Sequence, residues 1–268
     1  MPAIKQSTKL QRAGLIAALT IFTMAFIAPT PALAETTQVK TGVAMTMQAH
    51  LMTPDGPGPY PAVLLMHTSG GLQDDDLKFA ERLAKEGYVV LVPAFLAAYG
   101  ILPRNRVDSF TVKAQALHDD FVVGLEQLRR HPKVDGRRLG AVGFSNGGYF
   151  AVWLAGTGKV RAGISWYGAI SGAGSDVNQN RFRQVLNSQS APILVLHGTR
   201  DETVPIGAAV RLDGILTDAQ APHTLVQYPG AEHRFERIPG ASNEAAAADG
   251  WKRTLEFLAM HLKAPAAP

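Results

Sequence analysis

The chain of 268 residues contains no cysteine. That absence excludes disulfides, thiolate zinc sites, a cysteine nucleophile and a cysteine-linked lipid anchor. Charge is sparse, at 18% of residues. Lys and Arg total 26 against 22 Asp and Glu, but Lys5, Lys9 and Arg12 fall in the first 34 residues, which hold no acid. Residues 35–268 therefore carry 23 basic and 22 acidic side chains, a net charge of +1. So near-neutral a chain gives no electrostatic ground for a nucleic-acid partner. There is no internal repeat and no long linker. The main apolar run, residues 13–28, is short of the roughly 20 residues a spanning helix needs.

That run has a different reading. A basic start precedes it, and Pro29, Pro31 and the small-residue triplet Ala32-Leu33-Ala34 follow it. This is the pattern of a secretory signal. Cleavage is expected after Ala34, with residues 1–34 removed and the protein periplasmic or secreted. The alternative is an uncleaved anchor. After cleavage no stable membrane association is expected. Residues 35–262 then suffice for one domain with a well-buried core, and 263–268 read as a disordered tail.

From residue 60 onward, short apolar runs alternate with amphipathic segments of helix length. This predicts an α/β fold: a mostly parallel sheet with helices on both faces and no separate lid domain. Residues 39–51 read as leading strands. Strands are predicted at 62–67, 88–93, 138–144, 160–167, 192–197 and 225–228. Helices are predicted at 75–86, 113–131, 147–156, 206–218 and 244–262. In the second of these, Leu117, Phe121, Leu125 and Leu128 form one stripe. Residues 94–112 and 171–190 read as irregular excursions that shape a pocket.

The sequence Gly143-Phe144-Ser145-Asn146-Gly147 matches G-x-S-x-G, and it stands between a strand and a helix. A sharp strand-to-helix turn forces the serine into a strained conformation and leaves no room for side chains two residues away on either side. It exposes the hydroxyl above the sheet and points the Asn146 N–H at an attacked carbonyl. A serine needs a base. Asp201, in His197-Gly-Thr-Arg-Asp-Glu-Thr-Val-Pro205, and His233, in Pro229-Gly-Ala-Glu-His-Arg-Phe235, follow in the order Ser, Asp, His. Of eight histidines, His233 alone sits in a Gly-containing loop past the last strand; His67 and His197 end strands, His223 begins one, His118 and His131 belong to a helix, and His50 and His261 lie far from strand ends. Asp201 is preferred to Glu202 because a helix-starting Val-Pro follows it. The second oxyanion donor is assigned to the loop His67-Thr68-Ser69-Gly70-Gly71, as the N–H of Thr68 or Ser69, with Thr68 preferred. No phosphate cradle is expected, because no G-K-[ST] follows.

The segments PAVLLMHTSGG, GYVVLVPAF, RRLGAVGFSNGG, ISWYG, PILVLHGTRDETVP and YPGAEHRFER resemble the dienelactone hydrolase family of the α/β-hydrolases, over residues 58–262. The resemblance implies a small single-domain enzyme, without metal or cofactor, that hydrolyses small esters or lactones. It also implies departures. Ser145 stands where the dienelactone enzymes carry cysteine, and Thr68 where they carry glutamate. Of the family's two carboxylate-binding arginines, Arg237 matches one; the other position falls in Ala94–Tyr99, with Arg104 and Arg106 nearby but not aligned. This is similar to a serine branch of the family. Arg237, Tyr99 and Trp166 are the candidate substrate-binding residues, with Phe95 and Tyr167 as further possible linings. Rival readings are a non-catalytic binding protein on the same fold, a serine peptidase or an acyltransferase.

Overall fold

The computed structural model describes Met1 and residues 33–40, 46–170 and 175–263. The signal segment, apart from Met1, Leu33 and Ala34, and the tail beyond Lys263 lie outside the described residues. One eight-stranded sheet organises the rest. Its strands are β1 (Leu33–Lys40), β2 (Thr46–Thr53), β3 (Tyr60–Met66), β4 (Val89–Pro93), β5 (Val134–Phe144), β6 (Gly163–Trp166), β7 (Ile193–Gly198) and β8 (His223–Tyr228). They lie in the order β1-β2-β4-β3-β5-β6-β7-β8. β1 pairs antiparallel with β2, and β2 with β4; every later pairing is parallel.

Helices cover both faces because the central strands are apolar on both faces. In β3, Ala62, Leu64 and Met66 join one buried cluster and Val63 and Leu65 the other. The first cluster is closed by α3 (Ala114–Arg129) and α4 (Asn146–Gly156), with Phe182 from α5 (Ser175–Val185) and Leu212 from α6 (Gly207–Asp218). The second is closed by α1 (Asp74–Lys85) and α7 (Ala241–Leu258). The predicted stripe of α3 is wholly buried. In α4 every residue is buried, as its all-round apolar sequence requires. The N-terminus of α1 is closed by a reciprocal capping box of Gln73 and Asp76 behind three successive aspartates.

Several predicted boundaries move. The segment 171–190 is not irregular throughout: residues 175–185 form α5, with Phe182 and Asn178 buried. The segment 94–112 holds a one-turn helix, α2 (Phe95–Ala98), and a 3-10 turn at Pro103–Ser109. The last helix ends at Leu258 and continues as a wider π turn to Lys263, which keeps Leu258 and Leu262 both buried. No helix among the described residues is long and apolar enough to cross a membrane.

Candidate active site

A sharp turn joins β5 to α4. Ser145 there has φ +50° and ψ −105°, a conformation that costs a non-glycine residue about 1–3 kcal/mol. The neighbouring glycines are obligatory. A Cβ on Gly143 would lie 2.0 Å from the Gly147 carbonyl oxygen, and one on Gly147 would lie 2.1 Å from that of Met66. The strained residue is anchored on both sides: its N–H donates to the Trp166 carbonyl at 2.9 Å, and its carbonyl accepts from Tyr149 and Ala169.

The end of β3 lies beside this turn. The Gly147 N–H donates to the His67 carbonyl at 3.1 Å, so Thr68 and Asn146, both buried, flank one contact. The Thr68 loop holds its own shape. Its carbonyl accepts from the His67 ring Nδ1 (2.7 Å) and from Gly71 N–H, and its hydroxyl accepts from Gly70 N–H. His67 is buried and stacked on Phe95 at 4.0 Å. Burial pushes its pKa down to about 4, against the opposing effect of its bond to Thr68.

Across the sheet, the loops after β7 and β8 are knit together. Thr199 N–H donates to the Tyr228 carbonyl and Arg200 N–H to that of Ala231. Gly198 permits this approach, since a Cβ there would lie 2.3 Å from the Ala231 oxygen. Asp201 and His233 meet as a result: His233 Nδ1 lies 2.6 Å from Asp201 Oδ2. The other carboxylate oxygen, Oδ1, accepts from the N–H groups of Thr203 (2.9 Å) and Val204 (2.7 Å). Burial alone would raise the Asp201 pKa. Hydrogen bonds from His197 and His233 outweigh it and hold the carboxyl well below the ordinary range. An ionised acceptor at Nδ1 fixes the His233 tautomer: Nδ1 carries the proton, and Nε2 presents a lone pair. A cavity of about 270 Å³, lined in part by His233, Arg234, Arg200 and Glu232, opens beside this ring. A larger groove of about 680 Å³ between β1 and α3 touches none of these residues.

The three proposed substrate contacts are placed otherwise. The Arg237 side chain is only 4% exposed, and its guanidinium is spent on Asp76, Glu236 and Gln73. Two carboxylates already balance its charge, so it is not a free clamp for a third. Trp166 is fully buried under α7, with its indole N–H on Thr254. It belongs to the core, as does Phe95. The Tyr99 hydroxyl donates to Asp120 on α3. The aromatic ring that does reach the histidine is Tyr167, edge-on at 4.6 Å, with its hydroxyl on Glu236. The alternation of β6 points Trp166 to one side, and the turn after it, with Tyr167 at φ +40°, carries the next ring to the site.

A sequence profile of the dienelactone hydrolase family matches residues 47–262. A provisionally named carboxymethylenebutenolidase of Methylorubrum extorquens is 31% identical over 221 residues, covering 78% of this chain and 75% of its own. A Synechocystis protein of the same provisional name is 27% identical, covering 82% and 94%. Among solved structures, a provisionally assigned dienelactone hydrolase from Klebsiella pneumoniae superposes with a TM-score of 0.74 at 25% identity, over 86% of this chain and 99% of its own.

Proposed function

The chain belongs to the dienelactone hydrolase family, and on that premise we propose that it is an exported serine hydrolase of small carboxylic esters or lactones. Ser145 is the nucleophile, His233 the base and Asp201 the residue that orients the base. The observation that carries this reading is the 2.6 Å contact between His233 Nδ1 and Asp201 Oδ2, on the same rim of the sheet as the strained serine turn. With Nδ1 committed to Asp201, the His233 Nε2 lone pair is the one available to take the serine proton.

Ser145 Oγ attacks the carbonyl carbon as His233 accepts its proton. The N–H groups of Asn146 and Thr68 stabilise the oxyanion, each worth on the order of 3 kcal/mol. His233 then protonates the leaving alkoxide. Water, deprotonated by the same imidazole, frees the acid from the acyl-enzyme. With a lactone, the leaving oxygen remains part of the acyl chain as its hydroxyl, and the last step releases a single hydroxy acid.

The test is hydrolysis of p-nitrophenyl esters from acetate to decanoate by the protein and by Ser145→Ala. Turnover should fall by several orders of magnitude in the variant with the fold unchanged. Undiminished turnover in folded Ser145→Ala, or no labelling of Ser145 by a fluorophosphonate, overturns the reading. Export is tested by intact mass: cleavage after Ala34 leaves Glu35–Lys40 to pair with β2, and a mass that retains residues 1–34 overturns it.

A further inference from the structure

The carboxylate of Asp201 has a second histidine on it. His197, the penultimate residue of β7, is fully buried. Its Nε2 lies 3.3 Å from Asp201 Oδ2 and 2.7 Å from the Val204 carbonyl oxygen. Both neighbours are acceptors, so Nε2 carries a proton and shares it between them. The far nitrogen, Nδ1, is buried without a partner among the described residues. Leaving a buried ring nitrogen unsatisfied is costly, and a leucine of similar size would avoid that cost. The side chain therefore serves something other than packing.

Resting on the triad reading above, we infer that His197 is a positioning residue for Asp201. Oδ1 is held by two backbone N–H groups, which fix one end of the carboxylate. Those bonds hold the carboxylate from one side only, and a rotation about Cβ–Cγ that loosens them also swings Oδ2 away from His233. His197 closes that freedom: its proton holds Oδ2 in place while His233 Nδ1 bonds the same oxygen at 2.6 Å. The Val204 carbonyl, one residue past the N–H of Thr203, orients the His197 ring, so the loop that follows Asp201 sets both ends of the arrangement. His197 touches neither substrate nor the reacting atoms; it acts through Asp201.

The experiment compares His197→Leu, His197→Gln, His197→Asn and Ser145→Ala on one p-nitrophenyl ester, with a thermal melt for each. The leucine variant should lose about tenfold in kcat with KM unchanged, the effect of one hydrogen bond to a charged group. Glutamine places an N–H near the position of Nε2 and should restore most of kcat; asparagine is too short and should not. Should the leucine variant fail to fold, the contrast between glutamine and asparagine decides. Wild-type kcat in a folded leucine variant, equal kcat in the glutamine and asparagine variants, or a loss borne by KM overturns the inference. If Ser145→Ala is inactive while His197→Leu is not impaired, the triad stands and the role of His197 falls. If Ser145→Ala is active, the triad itself falls.

Discussion

Replacing Asp201 by asparagine changes one oxygen to an amide nitrogen and tests the site from two directions. The carboxylate accepts from the N–H groups of Thr203 and Val204 on Oδ1, and from His233 and His197 on Oδ2. An asparagine can keep its carbonyl oxygen toward the two backbone donors. Its NH₂ then faces His233 Nδ1 at a place where an acceptor stood. The imidazole can satisfy that donor only by moving its own proton to Nε2. In that tautomer Nε2 cannot accept from Ser145. Loss of the base should lower kcat by about 10⁴, with the residual rate supplied by the oxyanion donors. A stopped assay on p-nitrophenyl acetate at neutral pH measures it. A folded Asp201→Asn enzyme within tenfold of the parent would refute the tautomer argument.

The same substitution has a signature in stability. The folded pKa of Asp201 lies below its unfolded value, so the carboxylate stabilises the fold at pH values above the unfolded pKa. That stabilisation fades as pH falls from about 4 toward the folded pKa. Asp201→Asn, which lacks the charge-assisted bonds, should be less stable by about 1.5–3 kcal/mol at pH 7. The gap to the parent should narrow in urea melts below pH 4. A gap that stays constant down to pH 2.5 would mean that the loss is steric rather than electrostatic.

Gly147→Ala should cost at least about 3 kcal/mol and abolish turnover, because its Cβ would meet the Met66 carbonyl at 2.1 Å and backbone cannot step aside; a melt within 2 °C of the parent would contradict it. Arg237→Met leaves the buried Asp76 and the half-buried Glu236 without their cation and should destabilise by about 3–5 kcal/mol, read by urea titration; an unchanged midpoint would show that the cluster is not ion-paired in solution. His67 is held neutral, with its folded pKa lowered to about 4 from 6.5. The unfolded chain therefore binds the extra proton first, and stability should fall as pH drops from about 6.5 to 4, by at most about 3 kcal/mol. His67→Asn should flatten that slope, and an unaltered slope would assign it to other groups.

The sheet was legible because each central strand is a short apolar run bounded by turn residues, and α3 because its four apolar positions repeat at helical spacing. α5 was not legible. Its sequence SDVNQNRFRQV is polar, and its buried face consists of Asn178, Phe182 and little else. Its anchors are tertiary: Arg181 lies over the Trp153 ring and bonds the Tyr149 hydroxyl on α4. No local pattern announces a helix held that way. Ser145, Asp201 and His233 could be named because their motifs carry backbone constraints, in glycines and chain order. The contact between His197 and Asp201 depends on how the loop after β7 folds back, and residue spacing alone does not encode that.

Arg237 shows the opposite failure. The family resemblance gives Arg237, four residues after His233, the role of a substrate clamp, and the sequence also displays the acids that neutralise it. Glu236 is its chain neighbour, and Asp76 closes the capping box of α1. Nothing in a linear reading says that a helix start near residue 75 will pack under the loop near residue 236. A cation flanked by two carboxylates exerts little net field on a third, so Arg237 ties the histidine loop to α1. Arg234, on the same loop, bonds the same Gln73 side chain at 2.9 Å. One face of the loop is therefore pinned to the start of α1 through Gln73 and Asp76, and its other side meets Asp201. Between those two fixings the His233 ring has its Nδ1 tied to Asp201, as the proposed role of a base that uses Nε2 requires.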